Sequence, residues 1–310
     1  MKFLNHNLKG IMFHEFHDDK IFMKSQGSIN KDQFYKIIKK IGINNILSPQ
    51  NFLDAIYSKL KKKYYCLTFD DGLKCQFKIA GEILNDLNIS AFFFIISSTL
   101  TSKPNMLAVY KDFRCNSLPN LNLFYDEFFS LSKNVVSKNQ LIKLNKINSS
   151  RISRIKKKFS FYSRKDIVFR IFRDEILFYN EYDLIMKKLM NKYNYNFDKK
   201  FKQLVLNKND IKNLKKKNHE IGLHSHLHNH KMNNLSYKEQ KKDYLKCKKK
   251  LTSVTNKKIF SMSHPSGNYN KNTIKILKEI DIKIGFRHNT LKKKYNEYEI
   301  PRINHVSLLD

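Results

Sequence analysis

The stretch LTFDDG, residues 67–72, ends an apolar run that begins at Tyr64 and places two adjacent carboxylates, Asp70 and Asp71, directly after it. Apolar residues at consecutive positions are typical of a strand that is covered on both faces in a parallel sheet. In parallel α/β folds, functional side chains gather at the carboxyl ends of the strands. The stretch therefore predicts a buried parallel strand with a functional site at its carboxyl end.

Five further short apolar runs, rich in β-forming residues, occur at residues 10–16, 91–98, 220–226, 259–265 and 282–288. Helical patterns lie between them. Ser236 precedes Glu239 by three residues, which is the spacing of a capping box at the start of a helix, and residues 271–280 have apolar side chains at helical spacing. Strands that alternate with helices predict an α/β architecture, either an open sheet or a barrel.

The region from about 101 to 206 interrupts this alternation. Residues 182–193 place apolar side chains at the spacing of an amphipathic helix, and residues 166–177 show the same pattern more weakly. No strand-like run in this region could build a separate mixed core. We therefore predict a single domain over residues 1–310 with a helical insertion at about 101–206, and the insertion is a candidate lid or substrate-selecting element.

The composition permits a large core and indicates no framework of disulfides. A chain of 310 residues buries enough surface to fold without cross-links, and its four cysteines have no regular spacing, so we expect reduced thiols. The net charge of +33 is compatible with an anionic membrane surface or nucleic acid as a partner. The lysines are scattered evenly along the chain, which favours compositional drift and makes a nucleic-acid partner an unfavoured alternative.

The amino-terminal residues show no apolar run of the length that a signal peptide requires. No later stretch reaches the roughly 18 consecutive apolar residues of a membrane-spanning helix. We therefore expect a soluble protein in the cytoplasm.

Four histidines alternate in HEIGLHSHLHNH, residues 219–230, at positions 224, 226, 228 and 230. His224 and His228 are four residues apart, a separation that a strand end and a turn can fold around one cation. Imidazole nitrogens and a carboxylate oxygen are ligands that suit Zn²⁺ or a similar first-row ion. The alternative is a polar loop that is rich in histidine and binds no metal.

Taken together, TFDDG at residues 68–72 and HEIGLHSHLH at residues 219–228 resemble the first two motifs of the polysaccharide deacetylase family, also called the NodB-homology or carbohydrate esterase 4 family. The resemblance covers roughly residues 8–100 and 205–306, and it implies a distorted barrel of about seven β/α units. It further implies that Asp70 is the general base and that a divalent metal, with Zn²⁺ favoured, is bound by three ligands: Asp71, His224 and His228. Under the same resemblance, His226 and His230 are spectators.

The third motif of the family, R-x-P-Y/F followed by glycine, is altered in SHPSG, residues 263–267. Ser263 stands where the arginine is expected, and Ser266 stands at the aromatic position. The main-chain N–H of Ser266 is still a candidate oxyanion donor, because that role needs no side chain. Arg302 is the candidate replacement for the missing arginine, since the family often carries an arginine on its final strand.

Two histidines complete the set of site residues that the resemblance implies. His305, in INH, loosely matches the late L-x-H motif that supplies the general acid in the family. His14 ends the first predicted strand, where the family commonly has a histidine at the mouth of the site, and we predict that it lines the pocket.

The implied activity is metal-dependent hydrolysis of an N-acetyl or related acyl group on an amino sugar or glycan, with surface polysaccharide biosynthesis as the expected setting. A nucleotide-linked or lipid-linked precursor would suit the positive charge, with weak association with an anionic membrane surface. One alternative is a glycan-binding protein on the same fold that has lost turnover through its altered third motif. The other is the basic nucleic-acid-binding protein considered above.

Overall fold

The computed structural model describes residues 7–158, 162–290 and 295–309. The chain forms two compact units, one from Met1–Met106 and Lys202–Asp310 and the other from Leu107–Phe201. The described part of the first unit contains seven strands: β1 Leu8–Phe13, β2 Tyr64–Phe69, β3 Phe92–Ile95, β4 Glu220–Leu223, β5 Ser261–Ser263, β6 Ile284–Phe286 and β7 Arg302–Asn304.

The seven strands form one parallel sheet in the order β6-β5-β4-β3-β2-β1-β7. Ile300, two residues before β7, forms a parallel bridge with Phe286 of β6. This bridge joins the two ends of the strand order, so that the sheet becomes a nearly closed barrel. The α/β fold predicted from the sequence pattern and the distorted seven-stranded barrel implied by the resemblance are therefore confirmed. Each predicted apolar run overlaps one of the strands β1–β6, and β1 begins two residues before its run.

The described residues contain thirteen α-helices. Three precede the second unit: α1 Lys31–Ile41, α2 Pro49–Ala55 and α3 Gly81–Asp86, the last after a π-helical turn at Gln76–Ala80. The next six lie in the second unit and a seventh continues into the first: α4 Leu107–Asn116, α5 Leu121–Ser132, α6 Lys138–Asn145, α7 Ser149–Lys158, α8 Arg164–Ile171, α9 Tyr179–Lys192 and α10 Phe197–Leu204. The last three are α11 Lys208–Lys216, α12 Tyr237–Thr255 and α13 Lys271–Glu279.

Local sequence signals explain where several of these helices begin. Ser236 and Glu239 form the predicted capping box at the start of α12, and Asn270 caps the predicted helix α13. In α9, the predicted apolar face is buried. The described part of the second unit contains helices and no strand, and its limits lie inside the predicted insertion at about 101–206.

Aromatic side chains fix the strand end that carries the two aspartates. Phe69 is the last residue of β2, and its ring stacks on Phe13 of β1 at 5.3 Å and on Phe93 of β3 at 4.6 Å between ring centroids. All three rings are fully buried. Each contributes about 2–3 kcal/mol through burial, and stacked pairs add to that. The main chain at Asp70 is therefore held from both neighbouring strands.

No helix among the described residues is both long enough and apolar enough to cross a membrane.

Candidate active site

The site is assembled where three parallel strands end, and a long side chain from the beginning of a fourth strand reaches it. Asp70 and Asp71 follow β2, His224 follows β4, Ser263 is the last residue of β5, and Arg302 is the first residue of β7. Parallel strands end at the same rim of a barrel, so residues far apart in the sequence meet there. The main-chain N–H of Asp70 donates to the carbonyl of Phe13 at 3.1 Å, which ties the aspartates to the end of β1.

Asp71, His224 and His228 form a cluster of potential metal ligands. Asp71 Oδ1 lies 3.3 Å from His224 Nε2 and 3.5 Å from His228 Nε2, and one ligand atom from each residue falls within 4.8 Å of the others. Asp71 Oδ1 is buried and has no hydrogen-bond partner. A buried carboxylate oxygen without a partner is costly, and a cation would offset that cost. Two imidazole nitrogens and one carboxylate are a donor set that suits Zn²⁺, so these residues fit a divalent ion.

The rings of this cluster are oriented by main-chain contacts. His224 Nδ1 lies 3.0 Å from the carbonyl of Ser263, to which it donates, so Nε2 is the ring nitrogen that faces Asp71. The main-chain N–H of His228 donates to Ser225 Oγ at 2.8 Å. Asp71, Ser225 and His228 all have left-handed backbone conformations, with φ of 76°, 59° and 53°. Such conformations cost about 1–3 kcal/mol each in non-glycine residues and concentrate at functional sites.

The charges in the cluster favour a cation. Burial on its own raises the pKa of Asp71, but His224 and His228 outweigh it and hold that pKa well below its usual range. Burial, reinforced by the neighbouring His224, lowers the pKa of His228 to about 3. The ionised Asp71 and the neutral His228 are in the protonation states that metal ligands need. For His224, burial lowers the pKa, but the carboxylates of Asp70 and Asp71 outweigh it and raise that pKa, so a bound cation would have to displace its proton.

Asp70 has a different partner. Arg302 Nη1 donates to Asp70 Oδ1 at 2.7 Å and Arg302 Nη2 donates to Asp70 Oδ2 at 2.8 Å, and both residues are buried. Ser263 Oγ accepts from Arg302 Nη2 at 2.8 Å and donates to Asp70 Oδ2 at 3.2 Å. Burial alone raises the pKa of Asp70, but Arg302 and His224 outweigh it and lower the pKa to about 2. Asp70 is therefore ionised at neutral pH and fixed in orientation.

The remaining predicted residues lie at different distances from this centre. His14 is 37% exposed, and its Nε2 is 3.9 Å from Asp70 Oδ2. Ser266 lies in the turn Pro265–Gly267 with φ of 52°, and its hydroxyl is 2.6 Å from His230 Nδ1.

His305 lies at the end of β7 and is turned towards the main chain. Its ring stacks on Phe13 at 5.4 Å, with Nδ1 3.0 Å from the carbonyl of Met12 and Nε2 3.0 Å from the carbonyl of Gly27. Of the two predicted histidines, the structure therefore brings His14 near Asp70, whereas both ring nitrogens of His305 face main-chain oxygens.

Two residues that support the site were not identified from the sequence. Gln76 Nε2 donates to the main-chain carbonyls of His14 at 2.7 Å and Asp70 at 2.6 Å, which joins the ends of β1 and β2. Asp243, on α12, accepts from two consecutive N–H groups of the loop between His224 and His228. Gln76 is fully buried. The only sequence signal for Gln76 is a polar residue on the buried face of a short helix, and that signal does not identify the carbonyl groups to which it donates.

The family model described as "Polysaccharide deacetylase" matches residues 182–285, which is about a third of the chain and includes His224 and His228. No curated protein sequence matches the chain.

Several solved structures have a similar fold along nearly the whole length. A deacetylase of Streptococcus pyogenes, PplD, solved in complex with acetate, has 15% identity and a TM-score of 0.55, with 97% of this chain and 96% of that chain covered. IcaB from Ammonifex degensii has 12% identity and a TM-score of 0.54, with coverage of 96% and 91%. A de-N-acetylase from Aggregatibacter actinomycetemcomitans has 16% identity and a TM-score of 0.54, with coverage of 96% and 95%.

At these identities the structural likeness establishes the fold, and the matched family model connects that fold to the histidine loop. Residues 182–285 are therefore similar to the polysaccharide deacetylase family, and nearly the whole chain shares its fold with a solved deacetylase and a solved de-N-acetylase.

Proposed function

We propose that the protein is a metal-dependent N-deacetylase that uses zinc and removes an acetyl group from an amino sugar or glycan. The observation that carries the proposal is the position of Asp70 beside the cluster of Asp71, His224 and His228. His224 Nε2 lies 3.3 Å from Asp71 Oδ1 and 4.0 Å from Asp70 Oδ2, so one carboxylate and the metal-ligand set are within reach of the same small molecule.

Each residue has a distinct task in this proposal. Asp71, His224 and His228 hold the ion, which supplies the Lewis acidity that activates water and polarises the acetyl carbonyl. Asp70 accepts the proton that the attacking water loses, and Arg302 keeps Asp70 ionised and oriented for that transfer. The main-chain N–H of Ser266 donates to the oxygen that gains negative charge.

The reaction also needs a proton donor. Water adds to the acetyl carbon, the bond between that carbon and the sugar nitrogen breaks, and the nitrogen leaves as an amine that must gain a proton. The resemblance assigns this role to His305. His14 has the closer contact with Asp70 and is partly exposed, which favours it as a second candidate for the same role.

The substrate that loses its acetyl group is proposed to be a precursor of a surface polysaccharide, linked to a nucleotide or a lipid. The net charge of +33 supports an anionic substrate and weak attraction to an anionic membrane surface. The deacetylase and de-N-acetylase names of the structurally similar proteins agree with an N-acetyl group as the bond that is hydrolysed. A cytoplasmic setting belongs to the same proposal.

Metal content is the first test. We expect about one zinc ion per purified chain after reconstitution, and its loss in Asp71→Ala and in His228→Ala. His226→Gln is the matched control, because His226 is a buried histidine of the same loop whose Nδ1 contacts Ser97 Oγ at 2.8 Å instead of the cluster. A protein that binds no zinc after reconstitution would contradict the proposal.

Acetate release from N-acetylated amino sugars then separates an enzyme from a glycan-binding protein on the same fold. If the zinc-loaded protein binds such sugars and releases no acetate, the binding-protein alternative is correct. A nucleic-acid-binding protein would instead show affinity for nucleic acid that falls steeply with salt concentration.

A further inference from the structure

The loop that carries His228 is attached to helix α12 by one carboxylate. Asp243 Oδ1 accepts from the main-chain N–H of His226 at 2.7 Å, and Asp243 Oδ2 accepts from the N–H of Leu227 at 3.0 Å. Both N–H groups lie between the two histidines of the metal-ligand cluster. Hydrogen bonds to an ionised carboxylate are about twice as strong as those between neutral groups. The two bonds to Asp243 therefore hold the loop more strongly than two bonds to a neutral acceptor would.

The loop needs such an attachment because its backbone is strained. Ser225 and His228 both have left-handed φ values, which a free loop would leave. On its other side, the loop bonds to the segment after β3: the N–H of Ser97 donates to the carbonyl of Ser225 at 3.3 Å, and the N–H of Ser98 donates to the carbonyl of His226 at 3.1 Å. Asp243 supplies the opposing contact, so the loop is held from two elements.

Helix α12 is a firm support for this carboxylate. The helix has 19 residues and begins at a capping box. Tyr244, the residue after Asp243, and Cys247 are fully buried, so this part of the helix is packed against the barrel unit. A side chain on a packed helix holds its partner more exactly in place than one on another loop would.

We propose that Asp243 is a positioning residue that sets the conformation of residues 225–228 and thereby turns His228 towards Asp71. The inference rests on the proposed metal site and adds a residue that acts through the ligand-bearing loop. Residues that orient metal ligands from outside the coordination sphere typically change metal affinity by 10–100-fold when they are removed.

The test compares the zinc affinity of the full-length protein with that of Asp243→Ala and Asp243→Asn, by competition with a chelator. We expect Asp243→Ala to bind zinc about 10–100-fold more weakly, and Asp243→Asn to lose less because its amide keeps one acceptor oxygen. The matched control is Glu279→Ala, which removes an exposed carboxylate that contacts α12 through Lys241 at 2.7 Å and does not touch the loop. A zinc affinity of Asp243→Ala within about twofold of the unmodified protein would overturn the inference.

Amide hydrogen exchange of the metal-free protein gives a second readout that does not depend on zinc. The N–H groups of His226 and Leu227 should exchange faster in Asp243→Asn, a variant mild enough to fold if Asp243→Ala does not. Unchanged exchange at both amides would also overturn the inference. If the unmodified protein binds no zinc and these amides still exchange faster in the variant, the metal function fails and the loop-holding role of Asp243 stands.

Discussion

The site has two halves that differ in how completely their charges are satisfied. The proposed metal half, Asp71, His224 and His228, contains a buried carboxylate oxygen without a hydrogen-bond partner. The proposed base half, Asp70, Ser263 and Arg302, is a closed network in which both carboxylate oxygens of Asp70 accept from one guanidinium. One half therefore has room for an added cation, whereas the other already contains its own.

The difference between the two halves shows how two adjacent aspartates, Asp70 and Asp71, can have different partners and different proposed roles. Asp70 and Asp71 leave β2 with different backbone conformations, since Asp71 has φ of 76°. Their side chains consequently reach different partners. Both are ionised, yet Asp70 is neutralised by Arg302 and Asp71 faces two imidazoles. Variants that affect one half and spare the other can test this division.

The largest effect is expected from Asp70→Asn. The amide cannot accept a proton, so acetate release should fall by about 10²–10⁴-fold, which is the usual contribution of general acid–base catalysis. Zinc content should stay at the level of the unmodified protein, because Asp70 is not among the proposed ligands. Acetate release and zinc content should be measured on one preparation, to show whether catalysis can be lost while zinc binding is kept. Loss of zinc together with activity would show that the two halves do not act independently.

Arg302→Ala should have the next largest effect, and it should lower both the stability and the activity of the protein. It leaves Asp70 buried at 2% exposure without its cation. Breaking a buried ion pair in this way costs about 3–5 kcal/mol in the free energy of unfolding. Chemical denaturation gives that number. The matched variant Arg287→Ala removes a neighbouring buried arginine that has no contact with Asp70 among its described bonds, and it should leave the pKa of Asp70 low.

A relocated arginine should restore part of the loss. Ser263 lies at the position where the family carries its arginine and already contacts Asp70 Oδ2 at 3.2 Å. We expect Ser263→Arg combined with Arg302→Ala to recover about 1–2 kcal/mol of stability relative to Arg302→Ala alone, since it returns a cation to the same carboxylate. Equal stability of the single and double variants would mean that only β7 can supply the guanidinium.

The last expected effect is a dependence of stability on pH that arises from Asp70 in the base half. The pKa of Asp70 is about 2 in the folded protein and 3.8 as its ordinary value. The folded pKa is the lower one, so the stabilisation is fully present above pH 3.8 and disappears as the pH falls towards 2. The shift corresponds to roughly 2 kcal/mol. The stability difference between the unmodified protein and Asp70→Asn should therefore shrink between about pH 4 and pH 2, and a constant difference would contradict the ion pair.

Much of the barrel was predictable because local patterns carry it. The apolar runs at β1–β6, the capping box of α12 and the buried face of α9 are each encoded within a few residues. The pairing of β7 with β1 joins parts of the chain that are nearly 300 residues apart. The bridge that completes the ring joins Ile300 to Phe286, which are 14 residues apart. The periodicity of apolar residues predicts single strands and helices, and it does not predict which strands pair.

The sequence by itself determined the strand that is followed by DDG, the loop with alternating histidines, and the residue types that the proposed metal site and base require. Only the tertiary structure decided which histidines face Asp71, that Arg302 reaches Asp70 with two hydrogen bonds, and that Gln76 and Asp243 hold the two loops. The physical reason is that a hydrogen bond or ion pair depends on positions within a few tenths of an ångström. Those positions are set by the packing of the whole barrel, which no short stretch of sequence contains.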